Sequence, residues 1–387
     1  MIMQLGIDRL MLEGGTCIRG MRLGLLTNAS GCDGLLRSTS ERLMALGGSR
    51  LVALFAPEHG INGEKKAGMP YASDLDSATR LPVHSLYGES RRPDLSQLEE
   101  IDAMVVDVQD IGSRYYTFNS TLALVMQACG EAGKQVIVLD RPNPIGGVAR
   151  EGNFIAPTWR SFVGFTPLPN RHGLTIGELA YVYRYVFNIN CQITVIPMSG
   201  WRRTMFFSET GLSWVQPSPN ATGELMALLY PGMCLIEGTT LSEGRGTTRP
   251  FEVVGAPFID GYWLAKAFNR LQLPGVRARR TQFIPANSKY AGELCDGVQM
   301  HVTDRRLLQP LGMGLALLGL IAARYEDQFT FVVPETGGRA MFDLLTGDPA
   351  VRAAVRRNDC RAFREECRSY CDDFTQRVSP YLIYGTA

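Results

Sequence analysis

The chain has 387 residues, 45% hydrophobic and 9% aromatic, which is enough apolar material for more than one core. Its 39 Lys and Arg nearly balance 38 Asp and Glu, so a net charge of +1 supplies no basic field for nucleic acid and no acidic field for cationic substrates. Two domains are expected, with a small or weakly charged molecule as the partner.

From residue 21 to 150, short apolar runs alternate with helical stretches. Met21 to Asn28 reads as a first strand, ended by the turn at Ala29-Ser30-Gly31, and Ser38 to Leu46 reads as a helix. Leu51 to Ala56 is an uncharged run that predicts a strand buried on both faces, stopped by Pro57 and Gly60. Asp94 to Glu100 is helical, Ala103 to Val108 a strand, Ser120 to Ala132 a helix and Gln135 to Asp140 a strand. This rhythm predicts an α/β fold with a doubly wound parallel sheet and right-handed crossovers. Asp140-Arg141-Pro142-Asn143-Pro144-Ile145-Gly146-Gly147 forms a rigid turn, because each proline fixes its own backbone and restricts the residue before it.

A domain boundary is placed near residue 150, dividing the chain into 1–150 and a mixed α/β portion, 151–387. In the second portion Gly177 to Phe187 reads as helix, Cys191 to Pro197 as strand and Asp260 to Leu271 as helix. Gly297 to Val302 is a strand, Leu307 to Tyr325 a long apolar helix, and Gly338 to Val378 mainly helical. Cys360, Cys367 and Cys371 fall at helical spacing and predict a buried helix face. Nine scattered cysteines, an odd number, favour reduced thiols. The start has no secretory signal pattern, and no run reaches the roughly 18 apolar residues that span a bilayer, so a cytoplasmic protein without a membrane partner is expected.

The strands of the first portion end in Asn28, Glu58, His59, Asp107, Gln109, Asp110, Asp140, Arg141 and Asn143, which converge on one rim if the sheet is parallel. Ligands bind at that rim in open α/β sheets, although Asp and Asn there also cap the helices that follow. Glu58, directly after a buried strand, is the candidate catalytic acid of a sugar-cleaving enzyme.

No G-x-G-x-x-G follows the first strand, and no G-x-x-x-x-G-K-[ST], H-E-x-x-H, paired C-x-x-C or G-x-S-x-G occurs, so no cofactor and no metal are expected. The Gly-rich stretch Glu243 to Thr248 reads as a loop that brings backbone close to a ligand. Carboxylates, arginines, tyrosines and asparagines at loop positions suit carbohydrate chemistry.

Six segments in order carry a resemblance: Phe55-Ala56-Pro57-Glu58-His59-Gly60, Val106 to Thr117, Val138 to Pro144, Arg171 to Leu179, Pro217-Ser218-Pro219-Asn220 and Leu241 to Thr248. From about residue 20 to the C-terminus, the chain resembles the bacterial exo-β-N-acetylmuramidases related to NamZ. The resemblance implies a Rossmann-like N-terminal domain, a second α/β domain and an active site in the cleft between them. It implies removal of a terminal β-linked N-acetylmuramic acid (MurNAc) from the non-reducing end of fragments such as MurNAc-GlcNAc, with Glu58 as the catalytic glutamate. His84 stands where many relatives carry tyrosine, before Ser85-Leu86-Tyr87-Gly88, so that tyrosine's role would pass to His84 or Tyr87.

Asp107, Asp110, Asp140, Glu178 and Glu243 are candidates for the second catalytic group, as is the substrate's own 2-acetamido group. Arg114, Arg141, Arg171 and Arg245 are candidates to grip the lactyl carboxylate of muramic acid. Tyr115, Tyr116 and Trp214 are candidates to stack on sugar rings, with Asn28, His59, Asn143 and His172 lining the same site. Two other readings are a non-catalytic muropeptide-binding protein and a metal-dependent hydrolase built on His59, Asp107 and Asp110.

Overall fold

The computed structural model describes residues 3–63, 65, 74–88, 90–334 and 337–386. Seven strands form the first sheet: β1 (Arg22–Thr27), β2 (Arg50–Ala56), β3 (Asp74–Leu75), β4 (Pro82–Ser85), β5 (Ala103–Asp107), β6 (Gln135–Leu139) and β7 (Gln192–Ile196). Their order is β3-β4-β2-β1-β5-β6-β7, and every neighbouring pair is parallel except β3 with β4. The chain winds outward from β1 through β2 to β4, then returns to build β5, β6 and β7 on the other side. This is the doubly wound arrangement expected from the pattern, and the Rossmann-like domain that the resemblance implies.

The uncharged strand runs are explained by burial on both faces. Along β5, Met104 and Val106 face one core while Ala103 and Val105 face the other, as the two-residue period of a strand requires. Helix starts follow local chemistry. Ser38 accepts from the Glu41 amide ahead of Thr39–Ala45, and Thr175 accepts from the Glu178 amide ahead of Ile176–Tyr181.

The strand at Gln192–Ile196, expected beyond a boundary at residue 150, belongs to this first sheet. It pairs in parallel with β6, and helix Ile176–Tyr181 on the crossover packs against both strands. The apolar run alone could not say which sheet it would join.

The second sheet is antiparallel, with β8 (Val253–Ala256), β9 (Val276–Phe283) and β10 (Cys295–Val302) in the order β8-β10-β9. β8 is only four residues long, and β9 is an edge strand with Arg277 and Arg279 exposed. Neither therefore shows the sustained apolar run that marks β2 or β5. Helices Glu224–Met233 and Pro310–Arg324 cross where a Cβ on Gly314 would stand 2.5 Å from the Gly232 carbonyl oxygen. One apolar cluster runs without a break from Phe55 and Phe118 through Leu229 and Leu317 to Phe268 and Phe342. Among the described residues no helix is long and apolar enough to cross a membrane.

Candidate active site

The strand-to-loop turn after β2 has two unusual features, a buried carboxylate and a left-handed histidine. Glu58 and His59 are each only 8% exposed. His59 has φ 79°, a conformation costing about 1–3 kcal/mol for a residue with a Cβ. Contacts with Lys65 hold it there: the His59 ring Nδ1 lies 2.9 Å from the Lys65 carbonyl, and the His59 carbonyl accepts from the Lys65 amide at 3.1 Å.

Thr117, at the start of helix Phe118–Glu131, donates its hydroxyl to the Glu58 carboxylate at 2.8 Å, and the Tyr87 phenol stands near the same carboxylate. Burial and the Glu58 charge push the Tyr87 phenol up to about 12, so it keeps its proton at neutral pH.

Glu58, His59 and Tyr87 line a cavity of about 1590 Å³ together with Tyr115 and Tyr116 from the segment after β5 and Glu243 and Arg245 from the loop before β8. Tyr115 donates to the Pro231 carbonyl, and Tyr116 packs edge-on against Phe118 with centroids 4.8 Å apart. Arg245 pairs with Glu237 and, at 3.3 Å, with Glu243. Lys289 lies 3.1 Å from the other Glu243 oxygen and donates to the carbonyls of Ile236, Glu237 and Leu241. Gly246 lets this loop approach the opposite wall: it has φ 81°, and a Cβ there would stand 2.6 Å from the Asn287 backbone.

The other sequence-predicted residues are not among the cavity's lining. Asp140 accepts from the Arg141 and Gly177 amides and the Thr175 and Tyr384 hydroxyls. Burial, opposed by these bonds, pushes its carboxyl up to about 7. Asp110 accepts from the Gly112 amide at 2.7 Å and lies 3.1 Å from His172 Nε2. Because His172 Nδ1 accepts from the Leu174 amide, Nε2 carries the proton and donates to Asp110. Asn143 donates to the Leu174 carbonyl and accepts from the Ile145 amide, bracing the same turn. Asn28 donates to the Pro217 carbonyl at 2.9 Å.

Three of the four candidate arginines for the lactyl group are also consumed inside the protein. Arg141 makes a two-pronged pair with Asp107 and reaches the Cys32 carbonyl. Arg171 contacts Glu151 at 3.6 Å and donates to the Ile145 carbonyl at 2.7 Å. Arg114, fully buried, donates to the carbonyls of Asn153, Leu168, Leu345 and Thr346. His84 lies on β4 beside Phe55, ring centroids 5.0 Å apart, where burial lowers its pKa.

The crevice at the carboxyl ends of β1 and β5, where doubly wound sheets reverse direction and bind nucleotides, is closed. Only about 20 Å³ remains between Ser30, Gln109, Arg141, Phe207 and Trp214. Trp214, a candidate sugar platform, packs edge-on against Phe207 and donates to the Ala221 carbonyl. The open cavity therefore lies to the β2 side of that point. It also recruits Arg91, Phe162 and Lys289, none of which stands in a recognisable motif.

Two family models match the chain, both described as exo-β-N-acetylmuramidase NamZ: the N-terminal part over residues 23–224 and the C-terminal part over residues 228–384. The peptidoglycan β-N-acetylmuramidase NamZ of Bacillus subtilis (strain 168) is 41% identical over 384 residues, 98% of this chain and 91% of that protein. A crystal structure of a DUF1343 family protein from Bacteroides fragilis NCTC 9343 superposes with a TM-score of 0.91 at 36% identity, covering 99% of both chains. A second from the same organism gives 0.77 at 26% identity, covering 100% of both. With both halves matched in order and the likeness running almost end to end, the chain belongs to the exo-β-N-acetylmuramidase NamZ family.

Proposed function

We propose that this glycoside hydrolase removes terminal β-linked MurNAc from the non-reducing end of peptidoglycan fragments such as MurNAc-GlcNAc, with Glu58 as the acid that protonates the leaving oxygen. Glycoside cleavage needs that proton and support for an oxocarbenium-like centre. The observation that carries the reading is the setting of Glu58: a buried carboxylate on the wall of a large cavity, oriented by the Thr117 hydroxyl and with the Tyr87 phenol nearby. Residues 1–150 supply this acid, and the remainder of the chain closes the cavity as the other wall of a cleft.

Glu237 and Glu243, the other carboxylates among the described lining residues, are engaged by Arg245 and Lys289. This favours attack by the substrate's own 2-acetamido group, as in the substrate-assisted glycosidases. A trifluoroacetamido substrate, with a poorer nucleophile, would then turn over more slowly; unchanged turnover would exclude that route. Nine cysteines, with only Cys17 exposed, suit work in a reducing cytoplasm on recycled wall fragments.

The test is incubation with MurNAc-GlcNAc and chromatographic detection of free MurNAc. Release of the monosaccharide supports the reading. Saturable binding without release would identify a muropeptide-binding protein instead.

A further inference from the structure

Muramic acid differs from N-acetylglucosamine by a lactyl ether on C3, whose carboxylate needs a cation in the cavity. Arg114, Arg141 and Arg171 do not line it, and Arg245 is held by Glu237 and Glu243. The other described lining cations are Lys289, Arg339 and Arg91. Lys289 spends its ammonium on Glu243 and three carbonyls, and Arg339 donates to the carbonyls of Thr158 and Arg160.

Arg91 is different. Its guanidinium lies 4.3 Å from the Phe162 ring centroid and 5.7 Å from that of Tyr87. Among the described residues it has neither a carboxylate nor a carbonyl partner. Contact with aromatic rings occupies the face of a guanidinium and leaves its N–H edge available, the geometry that receives a carboxylate through two parallel hydrogen bonds. The Tyr87 ring beside Arg91 lines the same cavity as Glu58, so the cation and the acid face one space.

We propose that Arg91 binds the lactyl carboxylate of the terminal muramic acid and so sets the preference for muramic acid over unmodified N-acetylglucosamine. This rests on the muramidase reading and assigns recognition of the substrate's distinguishing group to one side chain. Contact with the Phe162 and Tyr87 rings restrains the guanidinium before substrate arrives, so less side-chain freedom is lost on binding.

The test compares wild type, Arg91→Gln and Arg91→Lys on 4-nitrophenyl β-MurNAc and on the same glycoside with its lactyl carboxylate converted to the neutral methylamide. Arg91 is exposed, and thermal unfolding confirms that the variants are folded. The wild type should favour the acid. Arg91→Gln should lose about tenfold to a hundredfold in kcat/KM on the acid, mainly through KM, with little change on the amide. Arg91→Lys, which keeps the charge but not the fork, should fall between.

An acid-to-amide preference unchanged in Arg91→Gln overturns the proposal. Equal turnover of acid and amide by the wild type overturns it too, while leaving the muramidase reading intact. A wild type that cleaves neither glycoside nor MurNAc-GlcNAc removes the muramidase reading and the Arg91 assignment with it.

Discussion

The Tyr87 phenol and the Glu58 carboxylate share one wall of the cavity, where the loop after β4 meets the turn after β2 and the carboxylate's charge helps to hold the proton on the phenol. Tyr87 stays protonated far above neutral pH, so it presents a neutral hydroxyl beside the proposed acid. Tyr87→Phe keeps the ring under Arg91 and removes only the hydroxyl. A hydroxyl dipole beside a carboxylate contributes on the order of 1 kcal/mol, so kcat should fall several-fold while KM changes little. Steady-state kinetics on MurNAc-GlcNAc check this; a tenfold change in KM with kcat intact would assign Tyr87 to binding.

Glu58→Gln removes the transferable proton and preserves the shape. The loss on MurNAc-GlcNAc should be on the order of 10²–10⁴ in kcat, the usual worth of a positioned acid. A substrate with a 2,4-dinitrophenyl leaving group needs no protonation and should lose far less. Equal losses on both substrates would move the acid role to another residue.

Arg114 illustrates how a motif arginine can be structural. Its guanidinium, fully buried, ties the segment after β5 to the Asn153 and Leu168 carbonyls and to the last carbonyls of helix Met341–Thr346. Lysine cannot reach all of these, so Arg114→Lys should cost at least about 3 kcal/mol of stability. Urea unfolding measures it, and the folded fraction should keep its wild-type KM because the side chain does not line the cavity.

Asp140 predicts a pH dependence. Its carboxyl is pushed up to about 7 from an ordinary 3.8, so the protonated form favours the fold. That contribution is full below about pH 4 and is lost as pH rises through 7. Asp140→Asn abolishes the titration, so the gap in melting temperature between wild type and variant should be wider at pH 5 than at pH 8. A gap that widens toward pH 8 would reverse the sign and refute the assignment.

The sequence alone determined the parallel sheet and the position of Glu58, because both are written in local chemistry. Uncharged apolar runs mark β2, β5 and β6, Ser38 marks a helix start, and Pro57 and Gly60 bracket the turn. Only the tertiary structure decided which polar residues face the cavity. Asp110, Asp140, Arg114, Arg141 and Arg171 stand in segments of the same family resemblance as Glu58, yet packing turns each toward buried donors or acceptors away from the cavity, some distant in the chain, as Leu345 is from Arg114. Arg91 and Lys289 stand in no motif and line the cavity all the same. A side chain's hydrogen-bonding capacity follows from its type, but its partners follow from which carbonyls and carboxylates folding places beside it, and no local pattern records those.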